Sequence, residues 1–249
     1  MRILLTNDDG IASPGINILA KNLSKSHDVW IVAPEGERSA SSHSITLVGP
    51  LMVKRKSDRT FACRGTPVDC VLLAFKDLIK VEFDCVISGI NMGPNLGTDI
   101  LYSGTVGAAR QGALMEKPSI AVSVCAKHNS LDFNIPARFL ENNMERFVEL
   151  WSPGHFLNIN FPDVLKDQLP VSITYPSKRI YRDKLKTFSA PDGYIYCFFE
   201  GDSPGSQMEK GSDHFAIINN MISISPIQVH PAKESVMERY EAAIFWRGS

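Results

Sequence analysis

The 249-residue chain is 44% hydrophobic and 21% charged, and its formal net charge at pH 7 is −1. This composition is typical of a folded globular protein and argues against intrinsic disorder. Because the charge is nearly balanced, no general field would gather a nucleic-acid polymer or an anionic membrane, and any phosphate-bearing ligand must be held by a local site.

Short apolar runs alternate with segments of helical period through the first two thirds of the chain, which is typical of β-α-β units. This order predicts a Rossmann-like α/β fold with a mostly parallel sheet and helices on both faces. The predicted strands are residues 2–6, 29–33, 84–88, 119–124 and 156–161. The predicted helices begin at Pro14 and Pro67, follow Ser103 to about Leu114, and cover 135–151.

The pattern changes after about residue 163, where strand-like segments are joined by polar loops. We predict one domain over residues 1–249, with an α/β core at 1–163. Residues 164–249 are expected to form an antiparallel extension with a terminal helix. The strands predicted there are 170–175, 194–199 and 215–225, and the predicted terminal helix is Ala232–Trp246.

The sequence also predicts where the protein works. Its first residues lack the long apolar stretch and the cleavage site of a secretory signal, and no apolar run approaches the roughly 20 residues that span a bilayer. The five cysteines are widely spread and include no C-x-x-C pair, which favours buried, reduced thiols. We therefore expect a cytoplasmic protein with no membrane partner.

Polar residues follow the first three predicted strands of the core. Asp8 and Asp9 follow the first strand, a serine-rich loop (37–43) follows the second, and Ser88-Gly89-Ile90-Asn91 ends the third. The carboxyl ends of parallel strands meet at one edge, where ligands bind. Oxygen ligands of this kind suit Mg²⁺ or Mn²⁺, whereas zinc would recruit His or Cys. Taken alone, the Asn-Asp-Asp-Gly run is equally typical of an ordinary turn.

A second candidate site is the run Tyr102–Ala109, which leads into a predicted helix. Free backbone N–H groups and the helix dipole favour a phosphate at such a helix start, and Ser103 and Thr105 add hydroxyl donors. An isolated segment of this kind is more often an ordinary helix cap by Ser103. The candidate metal site on the same sheet favours the phosphate interpretation, and His43 on the serine-rich loop is predicted to touch substrate.

Other motifs are absent or structural. The sequence contains no G-x-G-x-x-G, no Walker motif and no G-x-S-x-G, which argues against dinucleotide binding, ATP-driven function and serine hydrolysis. The segment Gly65–Cys70 is predicted to be a strand-to-helix turn capped by Thr66.

Several blocks, in order, resemble the SurE (survival protein E) family. They are MRILLTNDDGIASPGI, ERSASSHSIT, GTPVDC and SGINMGPNLGTDILYSGTVGAA, followed by the C-terminal GSDHFAIINNMISISPI. The resemblance implies a nucleotidase acting on nucleoside 5′- and 3′-monophosphates, with short polyphosphate as a further substrate. It also implies homodimers or homotetramers that form through the C-terminal region.

The same resemblance implies one divalent metal ion per subunit, Mg²⁺ or Mn²⁺, and assigns the residues around it. The implied metal ligands are Asp8, Asp9, Ser39 and Asn91, and the implied phosphate contacts are Asn95, Ser103, Gly104 and Thr105. We hypothesise that the cation neutralises phosphoryl oxygens and helps to generate an attacking water, with Asp8 or Asp9 as the catalytic base.

Three positions depart from the family pattern. Ala40 stands where the family commonly has Gly, Arg110-Gln111 replaces a pair that usually ends in Glu, and Asn220-Met221 stands where Gly-Tyr is common. None of these changes removes an implied ligand.

Three other functions are possible for an α/β chain with polar residues at its strand ends. A haloacid-dehalogenase phosphatase needs D-x-D, but position 10 is Gly. A signalling receiver domain needs an acceptor Asp after the third strand, where this chain has Ser88-Gly89-Ile90-Asn91. A nucleotide-binding module without catalysis has no feature of fold that separates it from an enzyme.

Overall fold

The structure is a computed structural model that describes residues 1–125, 132–164, 168–201, 204–207 and 209–230. Its strands are β1 Arg2–Thr6, β2 Asp28–Pro34, β3 Val53–Ser57, β4 Thr60–Cys63, β5 Cys85–Met92, β6 Ser119–Cys125, β7 His155–Pro162, β8 Val171–Ile173, β9 Arg179–Ile180, β10 Lys184–Ser189, β11 Ile195–Glu200, β12 Gly205–Ser206 and β13 Ile222–Gln228. Its helices are α1 Pro14–Leu23, α2 Pro67–Leu73, α3 Gly104–Leu114, α4 Asn134–Leu150 and α5 Asp213–Ile218. A π-helical turn, Ala74–Leu78, continues α2, and a 3₁₀ turn, Gly97–Leu101, precedes α3.

Nine strands form one sheet in the order β3-β4-β2-β1-β5-β6-β7-β13-β8. The six from β4 to β7 are parallel, while β13 joins β7 in the antiparallel sense, so the mostly parallel sheet with an antiparallel extension is confirmed. The chain runs from β1 outward to β2 and later returns to β5 on the other side of β1. This reversal opens a crevice between β1 and β5, where ligands of open α/β sheets bind.

Helices cover both faces of the sheet, as predicted. Ile16 and Leu19 of α1 are buried in one apolar core with Leu140 and Met144 of α4. The opposite face holds a second core that includes Val71 of α2. Burial of such side chains stabilises the fold by about 1.5–3 kcal/mol for each fully buried one. Among the helices of the described residues, none is both long and apolar enough to cross a membrane.

The predicted cap of α2 is confirmed. The Thr66 hydroxyl accepts a hydrogen bond from the Asp69 N–H at 3.1 Å, and the Asp69 carboxylate accepts one from the Thr66 N–H at 2.8 Å. Asp69 also accepts the N–H and hydroxyl of Thr46, each at 2.8 Å. This capping box therefore ties the start of α2 to the end of the serine-rich loop.

The strand predicted at 215–225 is wrong in its first half. Ser212 caps a six-residue helix, α5, by accepting the Phe215 N–H at 3.2 Å, and strand β13 begins only at Ile222. The helix ends in a Schellman motif, since the Met221 N–H donates to Ala216 and Asn220 takes a left-handed φ of 56°. Helix α5 has only six residues, which is too short to show a helical period, so its apolar residues resembled a buried strand.

Other differences are smaller. The edge strands β3 and β4 and the hairpin strand β10 were not predicted. Four cysteines are buried as expected, but Cys197 on β11 is exposed, because neither face of that hairpin packs against the sheet. The predicted terminal helix Ala232–Trp246 lies outside the described residues.

Candidate active site

A cavity of about 480 Å³ opens at the carboxyl ends of β1 and β5, at the reversal of strand order. Its volume lies within the roughly 300–1,000 Å³ of small-molecule sites. Six of the residues assigned from the sequence line it, and they are Asp8, Asp9, Ser39, Asn91, Asn95 and Ser103. Gly104, Thr105 and His43 are not among the lining residues.

Asp8 is held in one orientation by the start of α3. The Thr105 N–H donates to its Oδ2 at 2.9 Å, and the Thr105 hydroxyl donates to its Oδ1 at 2.5 Å. Burial raises the pKa of Asp8 above its ordinary value, and the bonds from Thr105 oppose that rise. A Cβ on Gly104 would collide with the Ser41 hydroxyl and lie 3.1 Å from the Asp8 Cβ, so glycine permits this approach. The turn at 103–105 therefore positions a carboxylate.

The Asp9 side chain lines the same cavity. Its Oδ2 accepts the Met92 N–H at 3.3 Å. Burial, followed by repulsion from Asp8, raises the pKa of Asp9 to about 6, and Glu37 adds to the repulsion. Adjacent carboxylates in a partly buried cavity are thus destabilised by their own charge, which a bound cation would offset.

Ser39 and Asn91 complete the oxygen donors on this wall. The Ser39 hydroxyl donates to Glu37 at 2.7 Å. The Asn91 side-chain nitrogen donates to the Gly93 carbonyl at 2.9 Å, so the oxygen is the atom of this amide that could ligate a cation. The loop of Ser39 is tied to the site at its start, because the Arg38 N–H donates to the Asp8 carbonyl at 2.7 Å.

This donor set fits a hard divalent cation. Two carboxylates, a hydroxyl and an amide oxygen are the ligand types that Mg²⁺ and Mn²⁺ prefer. Within the described part of the chain, no group of three or more His, Cys, Asp or Glu residues is arranged to hold a metal ion.

The proposed phosphate contacts have structural partners of their own. The Ser103 hydroxyl accepts the Val106 N–H at 3.1 Å, which makes it the cap of α3 as well as a lining residue. Asn95 is buried. Its side-chain amide donates to the Ser123 hydroxyl at 2.8 Å, and its main-chain carbonyl accepts a hydrogen bond from the Asn158 side chain at 2.8 Å. Thr105 has both donors engaged by Asp8. Ser103 is thus the residue of the turn that faces the cavity.

His43 makes its polar contact away from the cavity. Its Nε2 lies 2.9 Å from the side-chain oxygen of Gln111 on α3. Contact of His43 with substrate stays a prediction.

One wall of the cavity was missed by the sequence analysis. Tyr181 and Asp99 line it, and the Tyr181 hydroxyl donates to Asp99 at 2.6 Å. Arg179, whose side chain is 6% exposed, forms an ion pair with Asp99 at 3.0 Å. Burial and the bond to Asp99 raise the pKa of Tyr181 well above its ordinary value. Tyr102, beside the capping Ser103, also lines this wall, and its position next to Ser103 is a signal that the sequence did offer.

A second missed residue, Asp213, anchors the loop that carries Asn95. Its fully buried carboxylate accepts the Gly97 N–H at 2.7 Å and the Ser177 N–H at 2.9 Å. Gly97 has a left-handed φ of 52°, and a Cβ there would collide with the Ser177 carbonyl. The Asp213 carboxylate therefore joins the extension to the cavity rim, in addition to the contacts of Arg179 and Tyr181 with Asp99.

Comparison with known proteins identifies the family. The family model described as survival protein SurE matches residues 3–183. The chain belongs to the SurE family. A protein named 5′-nucleotidase SurE from Kosmotoga olearia is 42% identical over 245 residues, covering 96% of each chain. One of the same name from Acinetobacter baylyi is 38% identical over 257 residues, covering 98% of this chain and all of the relative. A crystal structure of the SurE protein from Aquifex aeolicus has a TM-score of 0.85 and 32% identity, and the match covers 97% of this chain and 98% of that one.

The residues that depart from the SurE pattern have defined conformations or contacts in the structure. Ala40 has a φ of 56° and Asn220 also has a φ of 56°, so both keep a left-handed conformation that glycine adopts readily. Gln111 pairs with His43. Arg110 lies over the Phe156 ring at 5.6 Å. Two positions where the resemblance implies glycine thus have a left-handed backbone in this chain.

Proposed function

We propose that this SurE family member is a metal-dependent phosphomonoesterase that converts nucleoside 5′- and 3′-monophosphates to nucleoside and phosphate, with short polyphosphate as a further substrate. The observation that carries the proposal is the gathering of Asp8, Asp9, Ser39 and Asn91 on one cavity beside the start of α3. Family membership supports the reaction, since the curated relatives are named 5′-nucleotidase SurE.

The carboxylates of the cavity have two proposed roles, as metal ligands and as the catalytic base. A Mg²⁺ or Mn²⁺ ion held by Asp8, Asp9, Ser39 and Asn91 would supply neutralisation of the phosphoryl charge. Asp8 has both carboxylate oxygens bonded by Thr105, whereas Asp9 accepts a single bond from Met92. Asp9 is therefore the carboxylate better placed to take a proton from the attacking water.

The phosphate would lie toward the start of α3. The N-terminus of an eleven-residue helix favours an anion through its dipole. Ser103 lines the cavity at that end, and Asn95 lines it from the loop anchored by Asp213. Hydrogen-bond donors that are in place before the reaction stabilise the developing negative charge without having to reorganise. In many enzymes this stabilisation is the largest contribution to the rate enhancement.

Self-association through the extension is part of the proposal. Hairpin β10–β11 has every residue exposed, and the exposed set includes Phe188, Phe198 and, at 83%, Phe199. Phe188 and Phe198 are in contact on one face, with ring centroids 5.9 Å apart, and exposed apolar side chains of this kind commonly mark a protein–protein contact.

The test is a panel of nucleoside monophosphates assayed for phosphate release. Purified protein is freed of metal with EDTA, dialysed, and given Mg²⁺ or Mn²⁺ back. We expect turnover of AMP and GMP that is lost with the chelator and restored by metal. Nucleotide binding without turnover under every metal condition would contradict the proposal and favour a binding module.

A further inference from the structure

The wall of the cavity formed by Tyr102 and Tyr181 is not used by the chemistry proposed above. Both rings line the same cavity as Asp8, Asp9 and Ser103. They meet edge to face, with ring centroids 6.3 Å apart and an interplanar angle of 86°. Tyr102 is 57% exposed and Tyr181 is 39% exposed, so each ring keeps uncovered surface.

The orientation of Tyr181 is fixed from behind. Its hydroxyl donates to Asp99 at 2.6 Å, and Asp99 is paired with the buried Arg179 at 3.0 Å. The Arg179 guanidinium is itself held, because its Nη1 donates to Ser206 at 2.9 Å. A hydroxyl engaged in this way is occupied with a protein partner, so the ring offers a ligand its apolar surface.

The backbone of Tyr102 is held on both sides. Its N–H donates to the Asp99 carbonyl at 3.0 Å and its carbonyl accepts the Ser42 N–H at 2.9 Å, and the next residue, Ser103, caps α3. The ring therefore lies one residue from the end of the cavity assigned to the phosphate. Rigid tyrosines supply contact area at a low cost in conformational entropy.

We propose that Tyr102 and Tyr181 form a nucleobase subsite that stacks on the base of the substrate and distinguishes nucleotides from phosphomonoesters that lack a base. This inference rests on the proposed phosphatase function, since it names what holds the remainder of the same substrate. Every base has a π face, so stacking tolerates purines and pyrimidines alike. The subsite therefore selects for the presence of a base and not for its identity.

The experiment compares AMP with ribose 5-phosphate, which carries the same phosphoester and sugar without a base. We expect Tyr102→Ala to lower kcat/KM for AMP about ten-fold, the size expected for loss of one base–aromatic contact, and to leave ribose 5-phosphate within about two-fold. Tyr102→Phe keeps the ring and should retain the preference for AMP. Tyr194→Ala is the matched control, because Tyr194 is 72% exposed and lies outside the cavity lining.

The outcomes separate this inference from the proposed function. Equal losses on both substrates, no loss on either, or a wild-type protein with no preference for AMP would overturn the subsite while leaving the phosphatase intact. If the wild-type protein hydrolyses neither substrate with any metal, the proposed function fails. Saturation-transfer NMR with adenosine then tests the subsite separately. If the subsite exists, the protons of the base should show saturation transfer from the wild-type protein and a weaker transfer from Tyr102→Ala.

Discussion

The parallel core and the C-terminal extension contribute to the site in different ways. The central strands are buried through most of their length, with Leu4, Ile87 and Val122 fully buried. The extension includes a hairpin, β10–β11, in which every residue is exposed. The core carries Asp8, Asp9 and Asn91 at its strand ends. The extension adds Tyr181 to the lining of the same cavity, and its Arg179 and Asp213 bind Asp99 and Gly97.

This difference separates reacting groups from supporting groups. Asp8 and Asp9 directly follow a fully paired strand, so their backbone is fixed by the sheet itself. The loop carrying Asn95 is held to the core by hydrogen bonds to Asn158 and Asn160, and its next turn is joined to the extension by Asp213, which lies 116 residues from Gly97. Substitution of a core carboxylate that lines the cavity should therefore remove turnover without lowering the stability of the fold. Substitution of a buried anchoring residue of the extension should lower the stability and loosen the site.

The largest effect is expected from Asp9→Asn. The substitution keeps the size of the side chain but removes a charged ligand and the favoured base, so we expect kcat/KM for AMP to fall at least about 10³-fold. The unfolding midpoint should not fall, because the burial and repulsion that raise the pKa of Asp9 to about 6 act against the charged form. Phosphate release and thermal unfolding measure the two quantities.

Asp58→Asn is the matched control for that variant, since the Asp58 side chain is 97% exposed and is not among the residues that line the cavity. It should retain wild-type turnover. Normal turnover of Asp9→Asn at saturating metal would refute the assignment of the core as the source of the chemistry.

The next largest effect is expected in the extension, from Asp213→Ala. Removal of this carboxylate leaves the Gly97 and Ser177 N–H groups without their acceptor in a buried place. Each unsatisfied buried group costs about 1–3 kcal/mol, so we expect the free energy of unfolding to fall by about 3 kcal/mol. Urea unfolding at fixed metal concentration measures this loss, and KM for AMP should rise because Gly97, two residues after Asn95, loses its bond to the extension.

Asp192→Ala provides the comparison within the same region. Asp192 accepts the Tyr194 N–H at 3.0 Å but lies on the exposed hairpin turn, where water can replace it. Its unfolding midpoint should stay close to wild type. If the two variants unfold at the same urea concentration, Asp213 is not the fastening point of the extension.

Sequence alone predicted the core because its signals are local. Buried strands and the polar residues just after them lie within a few positions of each other, so the convergence of Asp8, Asp9 and Asn91 could be inferred from strand order. The wall formed by Asp99 and Tyr181 joins residues 82 positions apart, and no periodic pattern links them. Asp213 was overlooked because it lies just before the predicted strand 215–225, at the start of a six-residue helix that has too few residues to show a helical period.

The smallest effect, a change in the free energy of unfolding, is expected in the loop that carries Ser39. Ala40 holds a left-handed φ of 56°, which costs an L-residue about 1 kcal/mol relative to glycine. Ala40→Gly removes that strain but gives the unfolded chain more freedom, so we expect a net gain of about 0.5 kcal/mol or less. Ala20→Gly, within helix α1, should instead lose about 1 kcal/mol, because glycine there has no strain to relieve. Urea unfolding of the two variants compares the signs, and an equal loss in both would show that Ala40 does not adopt the left-handed conformation in solution.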